Sequence, residues 1–202
     1  MHILHKKCGQ NQQNRGKIRT DQPDLLLDAI ENILFAISKK QPISFKIRKK
    51  AISKTKKQSH QKVKNMYRKN PFYTSTTVDI KMYKQRICQY FQCSDECYVM
   101  AMIYIDRISN LDSEINLDRK TVHKLFLTGV MIAAKFHDDI FFFNSFYSRI
   151  GGIELKELNF MEKEFLRRIG YNLFIEPELF QAYIKKMIDY GISINLHKAF
   201  SC

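Results

Sequence analysis

Glycine, proline and tryptophan are scarce in this chain. Its 202 residues include 7 Gly, 4 Pro and no Trp, so few residues are present that would break helices. Helix-forming residues dominate, and 45% of the sequence is hydrophobic, which is enough to build the core of one domain. The composition therefore predicts an all-α fold.

Long apolar runs and paired cysteine motifs are also missing. No apolar run approaches the roughly 20 residues that a membrane helix needs, so no helix is expected to span a membrane, and a membrane is not the assigned partner. The five cysteines, which form no CxxC motif, are Cys8, Cys88, Cys93, Cys97 and Cys202. An odd count without a signal peptide favours a reducing compartment, and Cys93 and Cys97 are interpreted as small core residues. No metal and no cofactor are expected.

The signatures of nucleotide-using enzymes are absent as well. The chain has no GxxxxGK[ST], GxGxxG, HRD, DFG or GxSxG, so it is not itself a kinase or a nucleotide-loop enzyme. The strongest enzymatic pattern is His137–Asp138 with His123 fourteen positions earlier, which an all-helical metal phosphohydrolase would use. The simpler alternative is a polar helix end. Acids at a helix C-terminus oppose the helix dipole, so Asp138 and Asp139 predict a basic partner outside the chain.

Acidic residues are absent from residues 39–69, where 13 basic residues occur. Residues 1–71 contain 18 Lys and Arg against 4 acids, whereas residues 72–202 contain 16 of each. The whole net charge of +14 therefore belongs to the first third of the chain. Residues 41–71 are predicted to be a flexible, self-repelling basic insertion.

This basic insertion has several possible roles. A cluster within it predicts a nuclear import signal, and hence nuclear or cytoplasmic localisation or both. A solvated insertion without a dedicated role, or contact with nucleic acid or an anionic membrane, is the alternative. Few aromatic residues interleave the charges, which argues against base stacking. The candidate signal consists of Lys46, Arg48, Lys49, Lys50, Lys54, Lys56 and Lys57.

Apolar spacing predicts seven helices. Residues 1–22 are predicted to be a disordered start, residues 72–190 a compact domain and residues 191–202 a tail. The third predicted helix is apolar on nearly all sides, which places it at the centre of a bundle. The predicted helices cover residues 23–40, 78–92, 95–111, 118–138, 144–150, 154–169 and 177–190.

Two charged residues interrupt apolar helix faces. Lys135 follows Met131 and Ile132 by four and three residues, and Glu162 stands between Met161 and Phe165 at helical spacing. A charge in such a place is costly unless it is paired. The two residues therefore predict an interface with another molecule.

Three motifs occur in an informative order. YIDR (104–107), AAKF (133–136) and NFMEKEFL (159–166) resemble the cyclin box in sequence and spacing. The AKF, the DD pair and the GG before the next helix are similar to P-type (also called U-type) cyclins, relatives of the yeast phosphate-pathway cyclin. The resemblance covers residues 72–187 and, more loosely, residues 23–40. It implies an all-α fold, with a single five-helix cyclin box and an extra N-terminal and C-terminal helix.

The resemblance also implies a function. The chain would be a regulatory subunit rather than an enzyme, and would form a heterodimer with a cyclin-dependent kinase and activate it. Lys135 and Glu162 match the cyclin positions that grip the kinase C-helix, and Asp106, on the most buried helix, is assigned to a structural ion pair. Apolar contacts to the kinase are expected from Ile132, Phe136, Leu166, Tyr171 and Leu173.

Two features depart from the family pattern. The basic insertion at 41–71 replaces a shorter connection, and the sequence IFFFNSFY after the DD pair leaves the choice of kinase open. The alternative function is a nucleic-acid-binding, transcription-related protein with a cyclin fold that uses its basic arm. A second repeat and a zinc ribbon, which such a transcription factor carries, are both missing, so nucleic acid is not the expected partner.

Overall fold

The computed structural model describes residues 23–39, 70–74, 77–112 and 115–199. Within these ranges the chain forms seven helices and no strand, which confirms the all-α prediction. The predicted disordered start, the candidate import signal and the basic insertion up to residue 69 lie outside the described residues. The helices are α1 Pro23–Ser38, α2 Ile80–Tyr90, α3 Asp95–Leu111, α4 Val122–His137, α5 Asn144–Gly151, α6 Leu155–Arg168 and α7 Pro177–Ala199.

The centre of the molecule is the pair α3 and α4. Both helices are buried over most of their length, as the nearly all-round apolar sequence of α3 predicts. They approach closely because α4 carries Gly129, where an added Cβ would lie 3.3 Å from Cβ of Ala101 on α3. Helices α1, α6 and α7 pack around this pair.

The two additional helices, α1 and α7, pack on each other, and α1 also contacts α2, α3 and α4. The sequence predicted that the last helix ends near Tyr190, but α7 continues to Ala199. Gly191, which suggests a helix end, lies inside the helix and faces α1. A Cβ at Gly191 would come within 2.8 Å of Cβ of Ala29, so this glycine allows close helix packing and does not terminate α7.

The YIDR motif ties α3 to the C-terminal part of the chain. The Tyr104 hydroxyl donates to the carbonyl of Leu173 at 2.9 Å. Arg107 donates through Nη1 to the carbonyl of Asn172 at 2.6 Å and through Nη2 to that of Phe174 at 2.9 Å. These bonds fix the connection between α6 and α7 on the surface of α3.

Candidate functional site

The last turn of α4 carries Lys135 from the core to the surface. The helix is buried from Val122 to Ala134 except at Lys124, and it becomes exposed at Phe136 and His137. The Lys135 side chain is 24% exposed. Its charged end therefore reaches solvent while its carbon stem crosses the boundary of the core.

Lys135 forms an ion pair with Glu162 of α6. The distance from Lys135 Nζ to Glu162 Oε1 is 2.6 Å, and the glutamate side chain is 21% exposed. The sequence predicted that each charge needs a partner. In the structure each is the other's partner, so neither charge is left uncompensated in the free chain.

Two asparagines complete this polar cluster. Asn144, the first residue of α5, accepts a hydrogen bond from Lys135 Nζ at 2.5 Å through Oδ1. Its Nδ2 donates to Glu162 Oε2 and to Asn159 Oδ1, both at 2.7 Å. We call Lys135 and Glu162, together with the Asn144 amide that links them, the bridged pair. It links α4, α5 and α6.

Sequence reasoning missed both asparagines. Asn159 and Glu162 are three residues apart on α6 and so share a face, which is a signal that could have found Asn159. Asn144 carries no comparable signal, because its role depends on how α5 is placed against α4 and α6. The cluster offers hydrogen-bond donors and acceptors, which suits it to binding a polar segment of another molecule.

The predicted apolar contacts divide into exposed and buried residues. Phe136 is 51% exposed and Tyr171 is 67% exposed, while Leu166 and Leu173 are half-buried. Ile132 is only 2% exposed and packs in the core. In the free chain α4 is still enclosed by its neighbours one turn before Lys135, and the predicted contact of Ile132 with a partner stays a prediction.

The aromatic run after α4 is split between the core and the surface. Tyr147 is buried, and its hydroxyl oxygen accepts a hydrogen bond from the Phe142 amide at 3.1 Å. The Phe142 ring stacks on Phe146 with centroids 4.1 Å apart. Its neighbours Phe141 and Phe143 are 51% and 87% exposed. Phe142 thus anchors the loop and its two neighbours face solvent.

The two acids after α4 differ in their contacts. Asp138 accepts two hydrogen bonds from Ser94, one from the amide at 2.9 Å and one from the hydroxyl at 2.6 Å. Ser94 is the N-cap residue of α3, and its hydroxyl makes no capping hydrogen bond to that helix but donates to Asp138. Asp138 thus has an internal partner, whereas Asp139 is exposed. The basic partner expected outside the chain stays a prediction.

The arrangement of the histidines opposes the phosphohydrolase alternative. His123 is 3% exposed, and its Nε2–H donates to the carbonyl of Val78 at 3.0 Å. His137 is exposed at the other end of α4, which places it about 21 Å away along the helix axis. Among the described residues no group of three or more His, Cys, Asp or Glu side chains is suitably placed to bind a metal.

Asp106 has a different kind of partner from the one predicted. Its Oδ2 accepts a hydrogen bond from the Tyr183 hydroxyl of α7 at 2.5 Å, and both residues are buried. Burial and the neighbouring carboxylate raise the pKa of Tyr183, so the phenol remains a donor. The expected structural role stays a prediction, but the contact in the structure is a tyrosine hydrogen bond.

None of the described helices is both long enough and apolar enough to cross a bilayer.

Comparisons with known proteins identify the family. A family model described as Cyclin matches residues 24–173, which is more than half of the chain. Cyclin-U4-1 of Arabidopsis thaliana is 41% identical over 107 residues, covering 53% of this chain and 53% of that protein. Cyclin-P4-1 of Oryza sativa subsp. japonica is 39% identical over 110 residues, covering 54% and 52%. Cyclin-P3-1 of the same species is 40% identical over 106 residues, covering 52% and 44%.

The matched region has a limited extent. The chain spans about half the length of the curated relatives it matches, although the family model also includes α1. These relatives are P-type and U-type cyclins, and the transcription-related alternative is not favoured by them. The chain belongs to the cyclin family and is a cyclin of the P/U type.

Proposed function

We propose that the chain is the regulatory subunit of a cyclin-dependent kinase. It would bind the C-helix of the kinase and hold it inward, which completes the Lys–Glu ion pair and the ATP site of the kinase. The chain would supply no catalytic group. The observation that carries this proposal is the bridged pair, a Lys–Glu contact at the surface of α4 and α6 at the positions that match the kinase-gripping residues of cyclins.

The charge balance of the bridged pair suits an interface. Because Lys135 and Glu162 already neutralise each other at 2.6 Å, a partner can cover them without leaving an isolated charge. Burying an unpaired charge would be strongly unfavourable. The pair would therefore fix the register of the partner at a modest cost in desolvation.

Exposed apolar side chains supply the second part of the interface. Phe136 immediately follows Lys135, Phe143 precedes Asn144, and Tyr171 follows α6. Each is more than half exposed. Large aromatic residues of this kind are typical anchors of protein interfaces. We expect them to provide most of the affinity, while the bridged pair provides orientation.

A pull-down with matched variants tests this function. The full chain is tagged and incubated with a panel of purified cyclin-dependent kinases, and the activity of each kinase is measured with and without the chain. The wild type should retain and activate at least one kinase. Lys135→Ala with Glu162→Ala should weaken that binding by roughly 100-fold or more, while the helical circular-dichroism spectrum is unchanged.

The chain contains a matched control pair. Lys124 Nζ lies 2.5 Å from Glu157 Oε1, so this second Lys–Glu contact also joins α4 to α6. Lys124 is eleven residues before Lys135, about 16 Å away along the helix. Lys124→Ala with Glu157→Ala should therefore leave kinase binding intact. A wild-type chain that retains no kinase, or equal losses in the two double variants, would contradict the proposed function.

We also propose nuclear and cytoplasmic localisation, with import directed by the basic cluster. The cluster has seven Lys and Arg in residues 46–57 and no acid, a composition that suits an import signal. Fluorescent fusions of the wild type and of a variant with these seven residues changed to Gln are compared by imaging. The variant should be depleted from the nucleus, and an unchanged distribution would rule out the signal.

A further inference from the structure

We propose that Asn144 is a positioning residue for kinase binding, because it keeps Lys135 and Glu162 from satisfying each other completely. This inference rests on the proposed function. Three side chains form a closed ring of hydrogen bonds. Lys135 Nζ donates to Glu162 Oε1 and to Asn144 Oδ1, and Asn144 Nδ2 donates to Glu162 Oε2.

The ring fixes the orientation of the Asn144 amide. Its oxygen faces the lysine ammonium, which only donates, and its nitrogen faces the carboxylate, which only accepts. The second N–H of the same nitrogen donates to Asn159 Oδ1 at 2.7 Å. The reverse orientation would turn donors towards the ammonium and is therefore strongly disfavoured. One amide thus has both N–H groups and its oxygen occupied by residues of α4 and α6.

The remaining hydrogen-bonding capacity of the pair determines what a partner can recognise. An ammonium has three N–H groups and a carboxylate has about four acceptor positions. Within the described residues Lys135 uses two of its three donors, and each carboxylate oxygen of Glu162 accepts one hydrogen bond. At least one donor and further acceptor positions remain. Because both side chains are partly exposed, these groups can meet a partner's carbonyl and amide groups.

Removal of Asn144 would change this arrangement. Without the amide, the ammonium can bring two N–H groups onto the two oxygens of Glu162, so that the pair closes on itself. Lys and Glu side chains also regain rotamer freedom, which must be lost again on binding. Asn144 has a shorter side chain held at the start of α5, so it orients both charges at little entropic cost. In the wild type, Asn144 therefore pre-organises Lys135 and Glu162 for binding.

Kinase affinity and lysine dynamics are measured on the full chain with Asn144→Ala. The binding probe is the purified cyclin-dependent kinase that the wild type retains. Asn144→Ala should weaken its affinity by about ten-fold. Nitrogen-15 relaxation of the lysine ammonium groups, measured without kinase, should show greater motion of Lys135. This second readout remains informative if the wild type binds no kinase, so the failure of this inference is distinct from the failure of the proposed function.

Asn159→Ala is the matched control. Asn159 Oδ1 accepts a hydrogen bond from Asn144 Nδ2, and among the described residues no hydrogen bond joins Asn159 to Lys135 or Glu162. Its removal should change kinase affinity by less than about three-fold and leave the motion of Lys135 near that of the wild type. If Asn159→Ala weakens kinase affinity as much as Asn144→Ala does, all four polar side chains contribute to binding, and the three-residue ring alone does not explain it.

A variant cycle separates positioning from direct contact. In a chain that already carries Lys135→Ala and Glu162→Ala, Asn144→Ala should cause no further loss of affinity, because no charged pair remains to be oriented. A further ten-fold loss in that background would overturn the proposal, as would wild-type affinity and unchanged Lys135 motion in the single variant. Asn144→Asp has the same shape but repels Glu162. It should also weaken binding, and its melting temperature checks that the fold persists.

Discussion

The Lys135 ammonium lies 2.6 Å from Oε1 of Glu162 and joins the last turn of α4 to α6. This contact is internal, although the same two residues are proposed to meet a kinase. A partly exposed ion pair adds only about 0–1 kcal/mol to stability. The position of the pair is therefore more informative about binding than about folding.

The charge-swapped variant Lys135→Glu with Glu162→Lys separates the two roles. The pair remains complementary, and the Asn144 amide can rotate to match it, so the melting temperature should stay within about 3 °C of the wild type. Kinase binding should still be lost, because donor and acceptor have exchanged places. Affinity and thermal melting are measured on the same preparations. Wild-type affinity in the swapped chain would show that the pair acts only within the fold.

Asp106→Ala should destabilise the domain. The change removes the buried hydrogen bond between Asp106 and the Tyr183 hydroxyl, so we expect a loss of about 2–3 kcal/mol in the free energy of unfolding. Asp106→Asn retains an acceptor oxygen and should lose less. Urea denaturation measures both. The double change Asp106→Ala with Tyr183→Phe removes both polar groups, and it should recover part of the loss. An Asp106→Ala protein as stable as the wild type would exclude the structural role.

Part of the fold and of the site could be predicted from sequence because the signals are local. The periodic apolar spacing located the seven helices of the described residues, and the charges at Lys135 and Glu162 marked the candidate site. Gly191 shows the limit of this reasoning. A glycine after a periodic segment predicts a helix end, but here its missing side chain makes room for Ala29 of α1, and that contact depends on tertiary structure.

The site residues show the same limit. Ile132 is one turn before Lys135, so helical spacing alone places the two on neighbouring faces. Its burial depends on the helices that enclose α4. Asn144 was missed because a polar residue near a helix start has an ordinary local role. Only the placement of α5 brings its amide between Lys135 and Glu162.

Tyr171 should show a trade-off between stability and binding. It is 67% exposed and has a φ of 56°, in the left-handed region, which costs a non-glycine residue roughly 1–2 kcal/mol. Tyr171→Asn tolerates this conformation and removes the aromatic ring. Its free energy of unfolding should be equal to or up to about 1 kcal/mol above that of the wild type, while kinase affinity falls. Reduced stability together with unchanged affinity would contradict both parts.

A control for Tyr171 lies nearby. Phe174 is 60% exposed and does not have a positive φ. Phe174→Asn should therefore bring no conformational relief. Comparing the two variants in the same denaturant titration separates the backbone effect at Tyr171 from the general effect of replacing an exposed aromatic residue with Asn.

His123 should make the domain sensitive to mild acid. Burial lowers its pKa in the folded protein, so the unfolded chain binds more protons below the ordinary histidine value of about 6.5. The stabilising effect of neutral His123 is complete above that pH and is lost as the pH falls towards the folded pKa. One such group contributes at most about 1.4 kcal/mol per pH unit. Urea denaturation between pH 7.5 and the acid limit of folding measures this slope.

Two variants assign the slope to His123. His123→Gln removes the titrating ring from its buried site beside Tyr83, whose ring centroid is 5.1 Å from that of His123. This variant should be less stable at neutral pH, because the histidine packing and the hydrogen bond to the Val78 carbonyl change, and its stability should fall less steeply in acid. His137→Gln changes an exposed histidine at the other end of α4 and should keep the wild-type slope. If His123→Gln retains the full slope, the acid sensitivity belongs to other groups, and neutral His123 is not what stabilises the fold above pH 6.5.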